Sequence, residues 1–270
     1  MAFSTLILIN LAIAVGFLFL IWLLSLYAKD ASIIDPCWGF GFVIVAWSTW
    51  LQLETRSPLA TLLLVLVTIW GLRLTIYLLW RNHGFLRFGV EHKHEEDRRY
   101  RAMREKHGER FWWVSLFTVF MLQATLLWII SLTVQAGMYF GGESTIGVLA
   151  IVGAVIWFVG FYFETVGDWQ LAVFKSKPDS KGKVFDRGLW RYTRHPNYFG
   201  DFCVWWGLFL VAATAGVWWT VFCPALMSFF LVKVSGVAML ERDISDRRPE
   251  YQAYIRRTNS FFPWWPKASA

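Results

Sequence analysis

The sequence predicts an all-α polytopic membrane protein with about seven transmembrane helices, the N-terminus outside and the C-terminus cytoplasmic. Three observations carry this expectation. Of 270 residues, 57% are hydrophobic and only 17% charged. The apolar residues gather in uninterrupted runs of the length, about 20 residues, that a helix needs to cross a hydrocarbon core. Lys and Arg, which leave a net charge of +7, crowd into a few segments beside those runs.

The runs cover residues 3–27, 38–53, 59–80, 111–135, 146–165, 202–214 and 217–240. The first lacks a basic start and is too long for the apolar core of a signal peptide, so it reads as a span. The second follows Asp35-Pro36, and the third is apolar except for Arg73. Residues 81–110 hold nine Lys or Arg, and within them residues 95–110 read as an amphipathic helix. Asp97–Arg101 and Arg101–Glu105, each four apart, support that helix. The loop 136–145 after the fourth run has no Lys or Arg. Residues 175–194 after the fifth hold seven, and the tail after Glu241 holds six. Little more than Ala215 and Gly216 separates the sixth and seventh runs, which predicts a tight hairpin. Placing the three basic segments on one side gives the orientation. Residues 1–136 then form four spans with a cytoplasmic loop at 81–110. Residues 137–270 form three spans with a cytoplasmic loop at 166–201 and a tail.

Some function classes fall away on this pattern. The basic residues lie where the positive-inside rule puts them, so nucleic acid is not expected as a partner. Cys37, Cys203 and Cys223 sit in or beside apolar runs without metal-ligand spacing and read as small apolar residues. His83, His92, His94 and His107 share the first basic segment, but His92 and His94 would face apart on a helix. No metal site is expected. No obligate protein partner is evident either.

The densest polar chemistry lies between Glu164 and Asp201. Glu164 and Asp168 are four apart and share a helix face, with Lys175 two turns on. Carboxylates near membrane depth are costly unless they meet a partner. Pro196 suits the first turn of a helix, whose open N–H groups beside Arg191, Arg194 and His195 would form a phosphate-binding corner. Asn197 and Asp201, again four apart, would face that corner. An interfacial anchor explains the basic and aromatic residues but has no need of the amide, the carboxylates or Gly200.

These residues also carry a resemblance. Arg194-His195-Pro196-Asn197-Tyr198-x-Gly200-Asp201, followed by a pair of spans, Glu241 and Tyr251-x-x-Tyr254, resembles the C-terminal part of the membrane steroid 5-alpha-reductase and sterol C14/C7 reductase superfamily. Asp30-Ala31-Ser32-x-x-Asp35-Pro36-x-Trp38-Gly39, Trp70-Gly71-Leu72-Arg73-Leu74 and Glu96-Asp97-x-Arg99-Tyr100-x-x-x-Arg104 resemble a mostly uncharacterised branch of it.

The resemblance implies NADPH-dependent reduction of a carbon–carbon double bond in a steroid or other lipid, with membrane lipids as surroundings. It implies that the last three spans hold the cofactor through Glu164, Asp168, Lys175, Arg194, His195, Asn197 and Asp201, and that Glu241, Arg247 and Tyr254 close over it. Lys175, Lys177, Arg191 and Arg194 would favour NADPH over NADH. Asp35 falls where the family's carbonyl-polarising Glu is expected. Trp70 stands at the Tyr position, leaving Arg73 and Tyr77 as substitutes. The membrane would be a bacterial inner membrane or the endoplasmic reticulum.

Isoprenylcysteine carboxyl methyltransferases carry a similar Arg-His-Pro-x-Tyr-x-Gly segment, which implies S-adenosylmethionine as the alternative cofactor. A third reading is a non-enzymatic lipid-binding protein, to which Trp70 points.

Overall fold

A computed structural model describes residues 1–83, 96–142, 144–180, 182–234 and 250–267. Every regular element among them is helical. Five helical stretches are long and apolar enough to cross a membrane, namely Phe3–Ala28, Ala31–Gln52, Pro58–Asn82, Arg98–Phe140 and Val148–Lys175. The chain is a multi-pass membrane protein. The sixth apolar run lies in a helix, Pro196–Ala213, of 18 residues. Asn197 and Asp201 in its first turns keep it outside those five. The seventh is a shorter helical stretch, Trp218–Val234.

The chain divides into two compact units. The first comprises Met1–Ile146 with Thr214–Thr220, the second Gly147–Ala213 with Val221–Ala270. Helix α1 (Phe3–Ala28) ends where Lys29 turns left-handed with φ 54°. Asp30 then caps a 3-10 turn, accepting from the Ser32 N–H at 2.8 Å and from its hydroxyl at 2.6 Å. That turn leads into α2 (Ile34–Gln52). Ser57 and Pro58 start α3 (Pro58–His83), the Ser57 hydroxyl accepting from the Ala60 N–H. Helix α4 (Arg98–His107) is capped by Asp97, which takes the Arg99 N–H at 2.9 Å. It occupies part of the expected amphipathic segment. Helix α5 (Phe111–Ser115) and α6 (Leu122–Phe140) are joined by a π-helical turn at Leu116–Met121.

A knot of amides and hydroxyls ties α1, α2 and α6 together. The Asn10 amide donates to Thr49 Oγ1 at 2.8 Å and to Gln135 Oε1 at 2.9 Å. Its carbonyl accepts from Ser48 Oγ at 2.7 Å and from Gln52 Nε2 at 3.2 Å. Asn10, Thr49 and Gln135 are fully buried. Interhelical hydrogen bonds in membranes contribute about 0.6–2 kcal/mol each. Asn10→Ala, which removes four at once, is expected to destabilise the first unit by about 2 kcal/mol or more. Thermal unfolding in detergent checks this.

The second unit is built on α7 (Val148–Lys175) and α8 (Pro196–Ala213). Glycines seven apart, Gly153, Gly160 and Gly167, line one face of α7 and meet Gly207, Gly200 and Pro196 of α8 in reverse order. The two helices therefore run antiparallel with backbones in contact. A Cβ on Gly160 would lie 2.5 Å from the Gly200 carbonyl oxygen, and one on Gly153 2.7 Å from that of Gly207. Small residues permit such approach where lipid offers no hydrophobic drive. Helix α7 continues ten residues beyond the apolar run ending at 165. Gly216, at φ 78°, turns the chain between α8 and the stretch containing α9 (Phe222–Phe229). The tail forms α10 (Glu250–Arg257).

Candidate functional site

Within the second unit, the α7–α8 contact brings the sequence-predicted polar residues together. Close packing at Gly160 and Gly200 sets the start of α8 beside the Glu164–Asp168 segment of α7. The Asn197 amide donates to Asp168 Oδ1 at 3.1 Å, across the two helices. Glu164 and Asp168 are buried, and Asp201 is half-buried one turn beyond Asn197. Helix α8 begins at Pro196, as its chemistry dictates, and the Asn197 side-chain oxygen accepts from the Tyr198 N–H. The His195 ring is buried and stacks on Tyr198, ring centroids 5.7 Å apart. Lys175 and Arg191 are exposed. The centre combines carboxylates, an amide and an imidazole, groups that bind hydroxyls, amides or a cationic centre.

Arg194 has a part the sequence did not suggest. It is buried, its N–H donates to Asn259 O at 2.9 Å, and its guanidinium donates to Thr258 O at 2.6 Å and Ile255 O at 3.3 Å. A cation here satisfies carbonyls at the end of α10, where the helix dipole favours it. Thr193 Oγ1 donates to Phe261 O at 2.7 Å, and Arg257 pairs with Asp186. Tyr254, expected over the cofactor, donates its hydroxyl to the Trp190 carbonyl. The tail is thus fastened to residues 186–194. Burial, then the neighbouring Tyr251, pushes the Tyr254 phenol well above the ordinary tyrosine range. A raised folded-state value means that this contribution is complete below the ordinary tyrosine pKa and is lost as pH rises through the folded one. Tyr254→Phe leaves the buried Trp190 carbonyl without this donor and is expected to cost about 1–3 kcal/mol, read from denaturation of the purified protein. Glu241 and Arg247 lie outside the described residues.

The first unit holds the other predicted group. Asp35 sits in the first turn of α2, but the capping residue at this corner is Asp30. Asp35 accepts from Arg99 Nη2 at 2.5 Å and from the Tyr100 hydroxyl at 2.7 Å. Beside it, Glu96 takes both Nε and Nη2 of Arg104, at 2.9 and 2.8 Å, and the Ala31 N–H at 2.8 Å. The Asp35–Arg99 pair crosses from α2 to α4, and Glu96, held by Arg104 of its own segment, reaches the α1–α2 corner through the Ala31 N–H. Tyr100 is buried. Trp70 is fully buried and packs edge-on against Phe42. Arg73 lies over the Tyr77 ring, 5.4 Å from its centroid. Arg99 and Tyr100 were visible in the sequence only as part of a motif, and nothing in their spacing pointed to Asp35. A cavity of about 300 Å³ opens near this corner, bordered by Ser25, Lys29, Arg104 and Trp112. Among the described residues no cluster of His, Cys, Asp and Glu has metal-binding geometry.

Comparison with known proteins sets this geometry in context. An "Uncharacterized protein C594.04c" of Schizosaccharomyces pombe is 24% identical over 90% of this chain and 75% of its own length. A "Probable O-methyltransferase ustE" of Ustilaginoidea virens is 36% identical over 80 residues, 30% of this chain and 28% of that protein. No solved structure matches. The profile of the DUF1295 family, described as a protein of unknown function, matches residues 21–258, so the chain belongs to the DUF1295 family.

Proposed function

We propose that the protein reduces a carbon–carbon double bond in a lipid, with NADPH bound in the second unit at the Asp168–Asn197 centre. The observation carrying this reading is the amide–carboxylate contact between α7 and α8, set at the start of a helix with buried Glu164 and His195 alongside. These groups fit the hydroxyls and carboxamide of a dinucleotide. The helix start, with exposed Lys175 and Arg191 in the same unit, suits its phosphates. When bound, NADPH supplies a hydride; the chain supplies binding, orientation and exclusion of water. Asp35, hydrogen-bonded to Tyr100, is the substrate-side acid of this reading, and Arg73 and Tyr77 on α3 are the further groups it assigns to the substrate. The proposal keeps seven crossings, with α8 and Trp218–Val234 completing the set, and a cytoplasmic C-terminus.

A second reading is an S-adenosylmethionine-dependent methyltransferase. Two observations favour it: the 80-residue match to the protein named as an O-methyltransferase, and three carboxylates, Glu164, Asp168 and Asp201, near a site that would face a sulfonium cation. Calorimetric titration of the detergent-solubilised protein separates the two. The reductase reading expects saturable NADPH binding, tighter than NADH. Saturable S-adenosylmethionine binding without NADPH binding would replace it with the second reading.

A further inference from the structure

Helix α7 presents a second face away from α8. Val148, Ile151, Val155, Phe158, Tyr162 and Trp169 recur at helical spacing along it and are all more than half exposed. Val173 continues the line. Glu164, Asp168 and Lys175 lie on a different face. This apolar stripe runs into a cleft of about 430 Å³ at the C-terminal end of α7. Residues 177–180 and 183–187 form its far wall, folded back so that Phe185 stacks on Phe174 with centroids 4.8 Å apart. Gln170 Oε1 holds that wall by accepting from the Leu189 N–H at 3.0 Å. Lys177, Lys183 and Arg187 border the cleft and are exposed. Two carboxylates are present as well: Asp179, and Asp186, which is paired with Arg257. The balance around the cleft is positive.

We propose that this cleft binds the phosphate headgroup of an anionic glycerophospholipid, whose acyl chains lie along the exposed stripe of α7. The chemistry is that of a membrane interface. Aromatic rings sit at headgroup depth, and long cationic side chains reach the phosphate while their stems cover apolar surface. Clustered Lys and Arg near a membrane surface are attracted to anionic lipid. The stripe explains why the ligand is a lipid rather than a soluble phosphate: it continues the cleft with apolar surface of the length of a span. The inference does not rest on the reductase reading: the stripe occupies a separate face of α7, and of the cleft's cations, which lie in the segment after α7, only Lys177 figures in the NADPH preference expected from the sequence.

The test is native mass spectrometry of the full chain, purified in detergent with equimolar phosphatidylglycerol and phosphatidylcholine. The wild type is expected to retain one phosphatidylglycerol and to discriminate at least about tenfold against phosphatidylcholine. The triple variant Lys177→Gln/Lys183→Gln/Arg187→Gln is expected to lose that adduct. Lys177→Gln alone, a single surface change, is expected to weaken it several-fold. Equal retention of both lipids by the wild type would overturn the proposal, as would unchanged retention in the variants. Displacement of the lipid by NADPH would assign the cleft to the dinucleotide and overturn it too.

Discussion

Gly200→Leu is expected to take the second unit apart. At this position a Cβ alone would lie 2.5 Å from the Gly160 carbonyl oxygen and 2.7 Å from the Glu164 Cβ. The obstacles include backbone, so no rotamer relieves them. Overpacking a well-filled site costs about 1–3 kcal/mol even where neighbours can shift. Here α7 and α8 must separate along their length, and Leu adds three more carbons than Ala. The α7–α8 contact also sets the Asp168–Asn197 bond, so the candidate site should go with it. Gly16→Leu on α1 is the control, since a Cβ there meets nothing within 4 Å. Size-exclusion profiles and thermal unfolding in detergent should show an aggregated or strongly destabilised Gly200→Leu beside a near-normal Gly16→Leu. A monodisperse Gly200→Leu of normal stability would refute the close approach.

Asn197→Ala and Asp168→Asn are expected to lower NADPH affinity while leaving the fold intact. Asn197→Ala removes the donor of a hydrogen bond to a charged group, and Asp168→Asn keeps an acceptor oxygen but removes the charge, each a contribution of about 1.5–3 kcal/mol. That corresponds to roughly ten- to a hundred-fold in the dissociation constant. Neither side chain is part of the glycine contact, so circular dichroism and elution volume should match the wild type. Normal NADPH affinity in both variants would leave the α8 start as an interfacial element only.

How much of this was legible in the sequence differs by kind of interaction. Run length marked α1 and α3 closely, because lipid thickness fixes the number of apolar residues. It undercounted α7, whose last ten residues include Asp168, Gln170 and Lys175: hydropathy reads membrane depth and not where a helix ends. Pro196 announced the start of α8 because its missing N–H suits one helical position. Glu164 and Asp168 were readable as one face from their spacing. Contacts between distant segments were not. Asp35 meets Tyr100 across 65 positions and Asn10 meets Gln135 across 125, and no local pattern encodes either. Arg194 looked like a phosphate ligand because sequence shows its charge and not its surroundings. The fold places its guanidinium on the carbonyls that end α10. Asp97 and Arg101 supported a solvated helix by spacing, yet the Asp97 carboxylate caps α4 and pairs with Arg99.

Hydrogen–deuterium exchange with and without NADPH tests the cofactor site most directly. Bound at the Asp168–Asn197 centre, NADPH should slow exchange in peptides covering 164–175 and 191–201, with S-adenosylmethionine leaving both unchanged. Protection by NADPH that misses these two segments, or none at saturating concentration, would contradict the site proposed here.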